Sequence, residues 1–586
     1  MSREFKNFGD LSKARGGKPK KQAPAEDKGK GWSYEDSSGG RADDPEAWGP
    51  DASGSSRMSI LGRPAGFGPM EHGPACYRDE ESEEMELLAS FRVRTVFPPD
   101  VQREVKGLPR DPKKEDKAGR LDLRGETIFT IDGEDAKDYD DAIGIKALGD
   151  GRVEIGVHIA DVGHYVRPGT ALDAEALARG TSVYVADQVV PMLPEALSNH
   201  LCSLVEGRDR LAYSVIMTFD AQGKRVDARV ANSVIKSVKR CTYGAVQELL
   251  DGADTPAVRE LAFIAEPLKL FQRWTQVQHK LRDAKGSLRI ESREKKFVFD
   301  PETHAVTGIV DSPRHFSNTL IEETALAANQ AVGDLFRARG LPTIYRVHPE
   351  KDPEEIEALA KHLEEHGIRV PKKERLTGRD IGRMIRAARR RANAEALIGR
   401  IMGLVERAVY EVRDHVKVAE HFGLAREAYL HFTSPIRRYP DLMVHRWLFS
   451  IESRGAEAEA ELKTEALLQD LNDVASHASA QADLAEMVET AVRDLKVCQY
   501  MHPHIGEKLD ARVLRVSRAG MEVELSAYNV TGFLPARTLG DRAEVKGPTL
   551  LIKRGRQARS FTEGHPIAVR LKDVDFLKLQ ILLDLA

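Results

Sequence analysis

The sequence lacks the features that mark several large classes of protein. Its four cysteines, Cys76, Cys202, Cys241 and Cys498, are far apart and form no C-x-x-C pair. This spacing argues against a structural zinc site. No apolar run reaches about 18 residues, so no transmembrane helix is predicted. The N-terminus has no apolar core of the kind found in secretory signals, and a cytoplasmic location is therefore expected.

An excess of positive charge is also missing. Lys and Arg total 88 against 92 Asp and Glu, which gives a net charge of −4 over 586 residues. Many nucleic-acid-binding proteins are basic overall, so a nucleic-acid site here would need positive charge concentrated in a groove or channel. The sequence contains no G-x-G-x-x-G fingerprint after a strand and no G-x-x-x-x-G-K-[ST] loop, and we expect no nucleotide cofactor.

Three regions differ in composition. Residues 1–84 are rich in Gly, Ser, Pro and charged residues and show no helical or strand period, so we predict a disordered low-complexity tail. Residues 85–502 mix strands with helices and form the main domain. Residues 503–586 alternate in the manner of five short strands, which suits a small barrel such as an OB-fold. The predicted fold class is therefore α+β with a C-terminal β-barrel.

Several elements of the main domain can be predicted. A strand is expected at 127–131, and strands at 142–145 and 153–157 form a hairpin around a Gly-Asp-Gly turn. A helix over 318–339 has a broad apolar face and stops at Gly340. An amphipathic stretch over 381–409 either lines a nucleic-acid entrance or forms a solvated helix face. It carries five arginines: Arg383, Arg386, Arg389, Arg390 and Arg391.

The most informative string is TIDGEDAKDYDDAI, residues 130–143, which we call the acidic segment. Its carboxylates Asp132, Asp138, Asp140 and Asp141 lie close enough along the chain to repel one another. A divalent cation offsets that repulsion, and hard oxygen ligands suit magnesium or manganese. Because magnesium usually takes one or two protein carboxylates, four of them suit two ions, an arrangement that can activate water against a phosphodiester.

Two other interpretations of the acidic segment compete with a metal site. A solvated surface loop is the usual fate of an aspartate-rich string, but here the segment follows an apolar strand and leads directly into another. A calcium EF-hand loop requires D-x-D-x-D-G and a Glu at position twelve. The acidic segment does not fit that pattern, because Lys137 interrupts it and no glycine follows the Asp138/Asp140 pair.

The acidic segment resembles the signature of the ribonuclease II / ribonuclease R (RNB) family, in which an aspartate after a strand is followed by three more at +6, +8 and +9. The segments at 118–125, 157–170, 179–213 and 421–446 resemble the same family, in its order. The resemblance implies a magnesium-dependent exoribonuclease, with manganese as the alternative ion. Such an enzyme degrades single-stranded RNA in the 3′→5′ direction and releases 5′-nucleoside monophosphates. It further implies that Asp132, Asp138, Asp140 and Asp141 are the metal and catalytic carboxylates.

The resemblance also implies roles for residues outside the acidic segment. Arg437, in TSPIRRYPD, would contact the scissile phosphate and act as a catalytic residue; on local sequence alone it is equally a solvated loop arginine. Tyr184 would bound the terminal nucleotides, although a lone tyrosine is usually a packed core residue. Val185-Ala186 follow it where the family often has Phe-Pro. The further candidates for RNA contact are Ser434, Arg438, His445, Glu323 and Phe533.

The ends of the chain differ from typical members of that family. Residues 503–586 resemble its S1-like OB-fold, an RNA-binding module, with Met521 where an aromatic residue is common. The two cold-shock domains that typically precede the catalytic domain are expected to be absent. The alternative function is a catalytically silent RNA-binding protein of the same fold, but such proteins are expected to lose metal carboxylates, and all four are present here.

Overall fold

The computed structural model describes residues 83–586 apart from gaps at 286–293, 313, 350–351, 372–375, 377, 392–393, 406, 414–419, 422–425, 541 and 556. Almost all of the predicted tail, residues 1–84, lies outside the described residues. Glu83 is the first described residue and already begins a helix. The described part of the chain mixes helices and sheets and ends in a barrel, which confirms the predicted α+β class.

Fifteen α-helices occur in the described residues. They are α1 (Glu83–Ser90), α2 (Pro99–Lys106), α3 (Lys114–Lys117), α4 (Ala171–Arg179), α5 (Tyr243–Leu250), α6 (Pro256–Glu260), α7 (Ala265–Lys285), α8 (Phe316–Ala338), α9 (Pro353–Glu365), α10 (Gly378–Ala388), α11 (Ala394–Met402), α12 (Tyr439–Arg454), α13 (Ala456–Leu462), α14 (Glu465–Met501) and α15 (Ala536–Leu539). Among them, none has the length and apolar character needed to cross a bilayer.

The strands of the main domain form one large sheet and several small ones. They are β1 (Leu121–Asp122), β2 (Thr130–Asp132), β3 (Asp141–Gly149), β4 (Arg152–Ala160), β5 (Val183–Val185), β6 (Gln188–Val190), β7 (Asp209–Phe219), β8 (Arg225–Lys236), β9 (Arg240–Thr242), β10 (Glu294–Phe299), β11 (Val306–Ser312), β12 (Thr343–Val347), β13 (Val409–Arg413), β14 (Glu420–His421) and β15 (Arg426–Glu427). The large sheet has the order β1-β8-β7-β4-β3.

The predicted hairpin is the β3–β4 pair at the edge of the large sheet. Its turn residues Gly149, Asp150 and Gly151 all have positive φ, which glycine adopts without strain and Asp tolerates. The strand expected at 127–131 is shorter than predicted, because β2 begins only at Thr130. Before it, Phe129 makes a single bridge to β3 and packs its ring edge-on against helix α7.

The predicted helix over 318–339 is α8, and it buries the predicted apolar face against the sheet. It ends before Gly340, whose φ of 61° closes the helix. Gly333 lies inside this helix, where the β-carbon of any other residue would stand 2.0 Å from the carbonyl oxygen of Ala428. Helix α8 therefore touches, backbone to backbone, the segment that leads to TSPIRRYPD.

The amphipathic stretch predicted over 381–409 is not one element. Helix α10 ends at Ala388, α11 ends at Met402, and Val409 begins β13, which pairs with β12. The β-branched and aromatic residues of β13 favour a strand, and α9 to α11 share a small hydrophobic core of their own. Of the five arginines, Arg383 is paired with the buried carboxylate of Asp380 at 2.5 Å.

The C-terminal region forms the predicted five-stranded barrel. Its strands close in the order β16-β17-β18-β23-β22, which are β16 (Lys508–Val516), β17 (Gly520–Leu525), β18 (Val530–Pro535), β22 (Pro566–Asp575) and β23 (Gln580–Leu585). A three-stranded sheet that was not predicted is inserted between β18 and β22; it comprises β19 (Arg542–Lys546), β20 (Thr549–Arg554) and β21 (Gln557–Thr562).

Candidate active site

Sheet pairing holds the acidic segment at both ends. Strand β2 ends at Asp132 and pairs in parallel with β9, so that Asp132 lies opposite Thr242. Strand β3 begins at Asp141, which lies opposite Ile159 of β4. The loop between β2 and β3 is therefore fixed within the fold, and its aspartates are not those of a freely solvated loop.

The four predicted aspartates are close enough to perturb one another. Burial raises the pKa of Asp132 to about 7, and repulsion from Asp141 and Asp138 adds to the rise. Burial also raises the pKa of Asp141 to about 6, although Arg437 opposes the rise. The pKa of Asp140 lies well above its usual value because the side chain is buried, and that of Asp138 is raised for the same reason. Each carboxyl therefore lacks enough compensation for its negative charge.

Two carboxylate oxygens in this group are buried without a hydrogen-bond partner. They are Oδ2 of Asp132 and Oδ2 of Asp140. A buried carboxylate oxygen without a partner is costly, and a divalent cation with hard oxygen ligands would remove that cost. The donor set therefore fits magnesium or manganese.

The carboxylates alone do not form a complete coordination site for a metal ion. In the described part of the chain, no three His, Cys, Asp or Glu side chains stand together as a group that could hold a metal ion. Magnesium typically uses one or two carboxylates and completes its shell with water and substrate phosphate. The site is therefore one that water and substrate would have to complete.

The TSPIRRYPD loop is far from the aspartates in sequence but contacts them in the fold. The backbone N–H of Ile436 donates to Oδ1 of Asp140 at 2.8 Å. The Nε of Arg437 lies 3.8 Å from Oδ2 of the same aspartate, and 41% of the arginine side chain is exposed. Arg437 therefore faces the acidic group, and its side chain remains partly accessible to a ligand.

The other candidates in this loop are engaged within the protein. Arg438 donates two hydrogen bonds to Asp441, at 3.0 and 2.7 Å, and Asp441 also accepts from the backbone N–H of Ser434. Ser434 is buried. His445 is also buried and contacts the carbonyl of Phe432 at 2.8 Å, so the RNA-backbone contact expected for His445 was wrong.

Tyr184 projects toward the aspartates from the short hairpin β5–β6. Its hydroxyl lies 3.4 Å from Oδ2 of Asp138, and its backbone N–H donates to Glu489 of helix α14. The side chain is 39% exposed, so Tyr184 is not a packed core residue. The next position but one, Ala186, takes φ of 49° in the hairpin turn. A proline could not adopt that φ, so a Phe-Pro pair would not fit this turn.

A cleft of about 1670 Å³ opens beside Asp138 and Tyr184. Its wall carries six cationic side chains, Lys106, Lys137, Arg240, Lys295, Lys296 and Arg493, and as many acidic ones. The phenylalanines of β10 also line it. The strongly basic groove expected from the charge balance is therefore not this cleft, whose lining is mixed.

Glu323 and Phe533 lie outside this group. Glu323 is 1% exposed, and its carboxylate is 3.1 Å from Nε of Arg282 and 4.0 Å from Arg426. The direct RNA contact predicted for Glu323 does not fit this buried position. Phe533 lies on barrel strand β18, half-buried, with its ring over Gly520.

Arg240 and Tyr243 lie next to the acidic segment and were not predicted from the sequence. Nη2 of Arg240 donates to the carbonyls of Gly133 and Glu134, at 2.7 and 2.6 Å, and so holds the acidic loop. The pKa of Tyr243 is raised by burial and by the nearby Asp141 and Asp132. The sequence contained no signal for either residue, because the parallel β2–β9 pairing joins segments more than 100 positions apart.

Comparison with known proteins identifies both domains. The RNB domain matches residues 120–453 and the S1 RNA-binding domain matches residues 502–578. Ribonuclease R of Thermotoga maritima is 39% identical over 494 residues, which are 83% of this chain and 67% of that protein. Ribonuclease R of Escherichia coli is 32% identical over 499 residues, and the match covers 83% of this chain and 60% of that protein. The chain thus spans about two thirds or less of the length of these relatives.

Solved structures share the fold. Mycoplasma genitalium RNase R, in complex with ribose-methylated single-stranded RNA, gives a TM-score of 0.74 at 24% identity and covers 86% of this chain and 77% of that one. Yeast Ssd1, a pseudonuclease, gives 0.60 at 18% identity and covers 76% and 54%. The RNB match alone spans more than half of the sequence, and this chain belongs to the RNB-domain family that includes the ribonucleases R.

Proposed function

We propose that this protein is an exoribonuclease that hydrolyses single-stranded RNA in the 3′→5′ direction and releases 5′-nucleoside monophosphates. The observation that carries the proposal is that buried carboxylate oxygens of Asp132 and Asp140 have no hydrogen-bond partner, while the partly exposed side chain of Arg437 lies beside Asp140. Unsatisfied negative charge next to an accessible cation suits a site for divalent ions and a phosphodiester.

The protein's side chains have separate proposed roles. Asp132, Asp138, Asp140 and Asp141 would hold two Mg²⁺ ions, or Mn²⁺ in their place. When bound, such ions lower the pKa of a coordinated water and offset charge on the phosphate. Arg437 would bind a phosphate oxygen and stabilise the charge that grows there in the transition state.

The RNA contacts are proposed from position. Tyr184 would stack on the terminal nucleotide, which suits a sequence-independent enzyme because every base has a π-face. Ser434 and Arg438 would support the TSPIRRYPD loop that carries Arg437. Phe533 would contact RNA on the S1 barrel, a domain described as RNA-binding. We also propose a boundary between the catalytic and S1 domains at residues 502/503, a role in RNA turnover, and a cytoplasmic location.

A silent RNA-binding role is the competing function. The pseudonuclease Ssd1 shows that the fold also occurs in a protein described as lacking nuclease function. All four aspartates are present in this chain, and two of them have buried oxygens without a hydrogen-bond partner. These observations favour the enzyme.

The test is an assay of this chain on 5′-labelled single-stranded RNA with magnesium and with chelator. We expect stepwise shortening from the 3′ end and a nucleoside monophosphate product in magnesium, and no shortening with chelator. RNA binding without any shortening in magnesium or manganese would favour the silent alternative.

A further inference from the structure

The carbonyl oxygen of Arg437 is held by a segment from another part of the domain. The hydroxyl of Thr181 donates to it at 3.0 Å, and the backbone N–H of Ser182 donates to it at 3.0 Å. Two residues further on, the N–H of Tyr439 donates to the carbonyl of Gly180 at 3.0 Å. Residues 180–182 thus form a short clamp, which we call the 180–182 clamp, along the backbone of the TSPIRRYPD loop. We call that loop, residues 433–441, the arginine loop.

The arginine loop is tightly turned but leaves the side chain of Arg437 weakly held. The N–H groups of Arg437 and Arg438 both donate to the carbonyl of Ser434. The nearest ion-pair atom to the Arg437 guanidinium is Oδ2 of Asp140, at 3.8 Å, which is beyond hydrogen-bond distance. The backbone of Arg437 sets the position from which this side chain extends, and that backbone is anchored at the carbonyl.

The clamp packs closely against a neighbouring helix. Helix α4 ends at Arg179, and Gly180 takes φ of 68°, a conformation that favours glycine. A side chain at Gly180 would meet Gln481 of helix α14 at 2.8 Å, so the clamp passes close to that helix. The chain then continues through Ser182, which is buried, into β5 and Tyr184.

We propose that Thr181 is a positioning residue that fixes the backbone of Arg437, so that the guanidinium meets the scissile phosphate at the right place. This inference rests on the proposed function of Arg437. Because the clamp leads directly into Tyr184, one segment would set the spacing between the group that binds the phosphate and the ring that bounds the last nucleotide. Thr181 itself would touch neither RNA nor metal.

The first test compares Thr181→Val, which keeps the shape and removes the hydroxyl, with Thr181→Ser, which keeps the hydroxyl. Loss of one hydrogen bond should lower kcat by roughly two- to tenfold, with KM for RNA unchanged, and the serine variant should restore kcat. Thr170→Val is the matched control. Thr170 caps helix α4 by accepting from the N–H of Asp173, so its loss should lower Tm and leave kcat unaltered.

The second test asks whether Thr181 acts through Arg437. In an Arg437→Lys background, measured under single turnover with enzyme in excess, Thr181→Val should have little or no further effect on the rate. An equal loss of rate in both backgrounds would overturn the proposal. An unchanged kcat in Thr181→Val would also overturn it. So would a loss of kcat in Thr170→Val as large as that in Thr181→Val, if the two variants have the same Tm. Failure of the wild-type protein to degrade RNA would instead reject the proposed function.

Discussion

The backbone N–H of Ile436 donates to Oδ1 of Asp140 across 296 positions of sequence. Asp140 is buried and, by its other oxygen, faces Arg437. This single aspartate therefore joins the acidic segment to the arginine loop, and a change at Asp140 tests the proposed chemistry directly.

Asp140→Asn should lower the rate of RNA hydrolysis by at least about a hundredfold, because it removes one charge from the set proposed to hold the ions. RNA affinity should change little, since the cleft keeps its shape. The rate is measured on labelled single-stranded RNA, and Kd by filter binding. Asp150→Asn is the control: Asp150 lies in the β3–β4 turn with φ of 50°, which asparagine tolerates. Wild-type hydrolysis by Asp140→Asn would contradict the assigned role.

The raised carboxyl pKa values predict how stability depends on pH. A carboxyl that binds its proton more tightly in the folded chain makes folding less favourable as pH rises between the unfolded and folded pKa values. For Asp132 that window runs from about 4 to about 7. In chelator, the Tm of Asp132→Asn minus that of the wild type should therefore increase as pH rises from 5 to 7.5. Thermal unfolding measures both Tm values.

Magnesium should reverse this difference, because it stabilises only a site with its ligands intact. At pH 7.5 the ion should raise the Tm of the wild type more than that of Asp132→Asn. A difference in Tm that does not change with pH or magnesium would show that Asp132 is not part of an ion site.

Tyr184→Ala should change the length of the final undegraded oligonucleotide, since the ring would no longer bound the end of the path. Tyr184→Phe keeps the ring and loses only the 3.4 Å contact to Asp138, so its end product should match that of the wild type. Both are read from denaturing gels run to completion. Identical end products from all three proteins would remove Tyr184 from the site.

Glu323→Gln should destabilise the protein by up to about 3 kcal/mol, because it leaves the charge of the buried Arg282 less compensated. Urea unfolding measures the loss. The neighbouring Glu322→Gln is the comparison, because Glu322 is 29% exposed in its pair with Arg282 and its loss should cost less. RNA affinity should stay unchanged in Glu323→Gln. A large rise in Kd for RNA without loss of stability would instead support a direct contact between Glu323 and RNA.

Those features of the site that depend on residues close together in the chain could be predicted from the sequence. The four aspartates could be recognised from their spacing, and the turn after β3 could be predicted from its glycines, because both features depend on neighbouring residues. That Arg438, and not Arg437, pairs with Asp441 could not be predicted, because this depends on how the loop between them turns. The burial of Glu323 was also beyond prediction, since it depends on Arg282 from a different helix.

The glycine in the middle of helix α8 has a consequence for how finely the site is set. Glycine destabilises a helix interior by about 1 kcal/mol relative to alanine, yet at Gly333 even a single methyl group would collide with the carbonyl of Ala428. Four residues earlier, Asn329 accepts from the N–H of Phe432. The helix thus fixes the position of the segment that precedes the arginine loop. A shift of that helix by the width of one carbon atom would move the backbone leading to Arg437, the side chain proposed to bind phosphate.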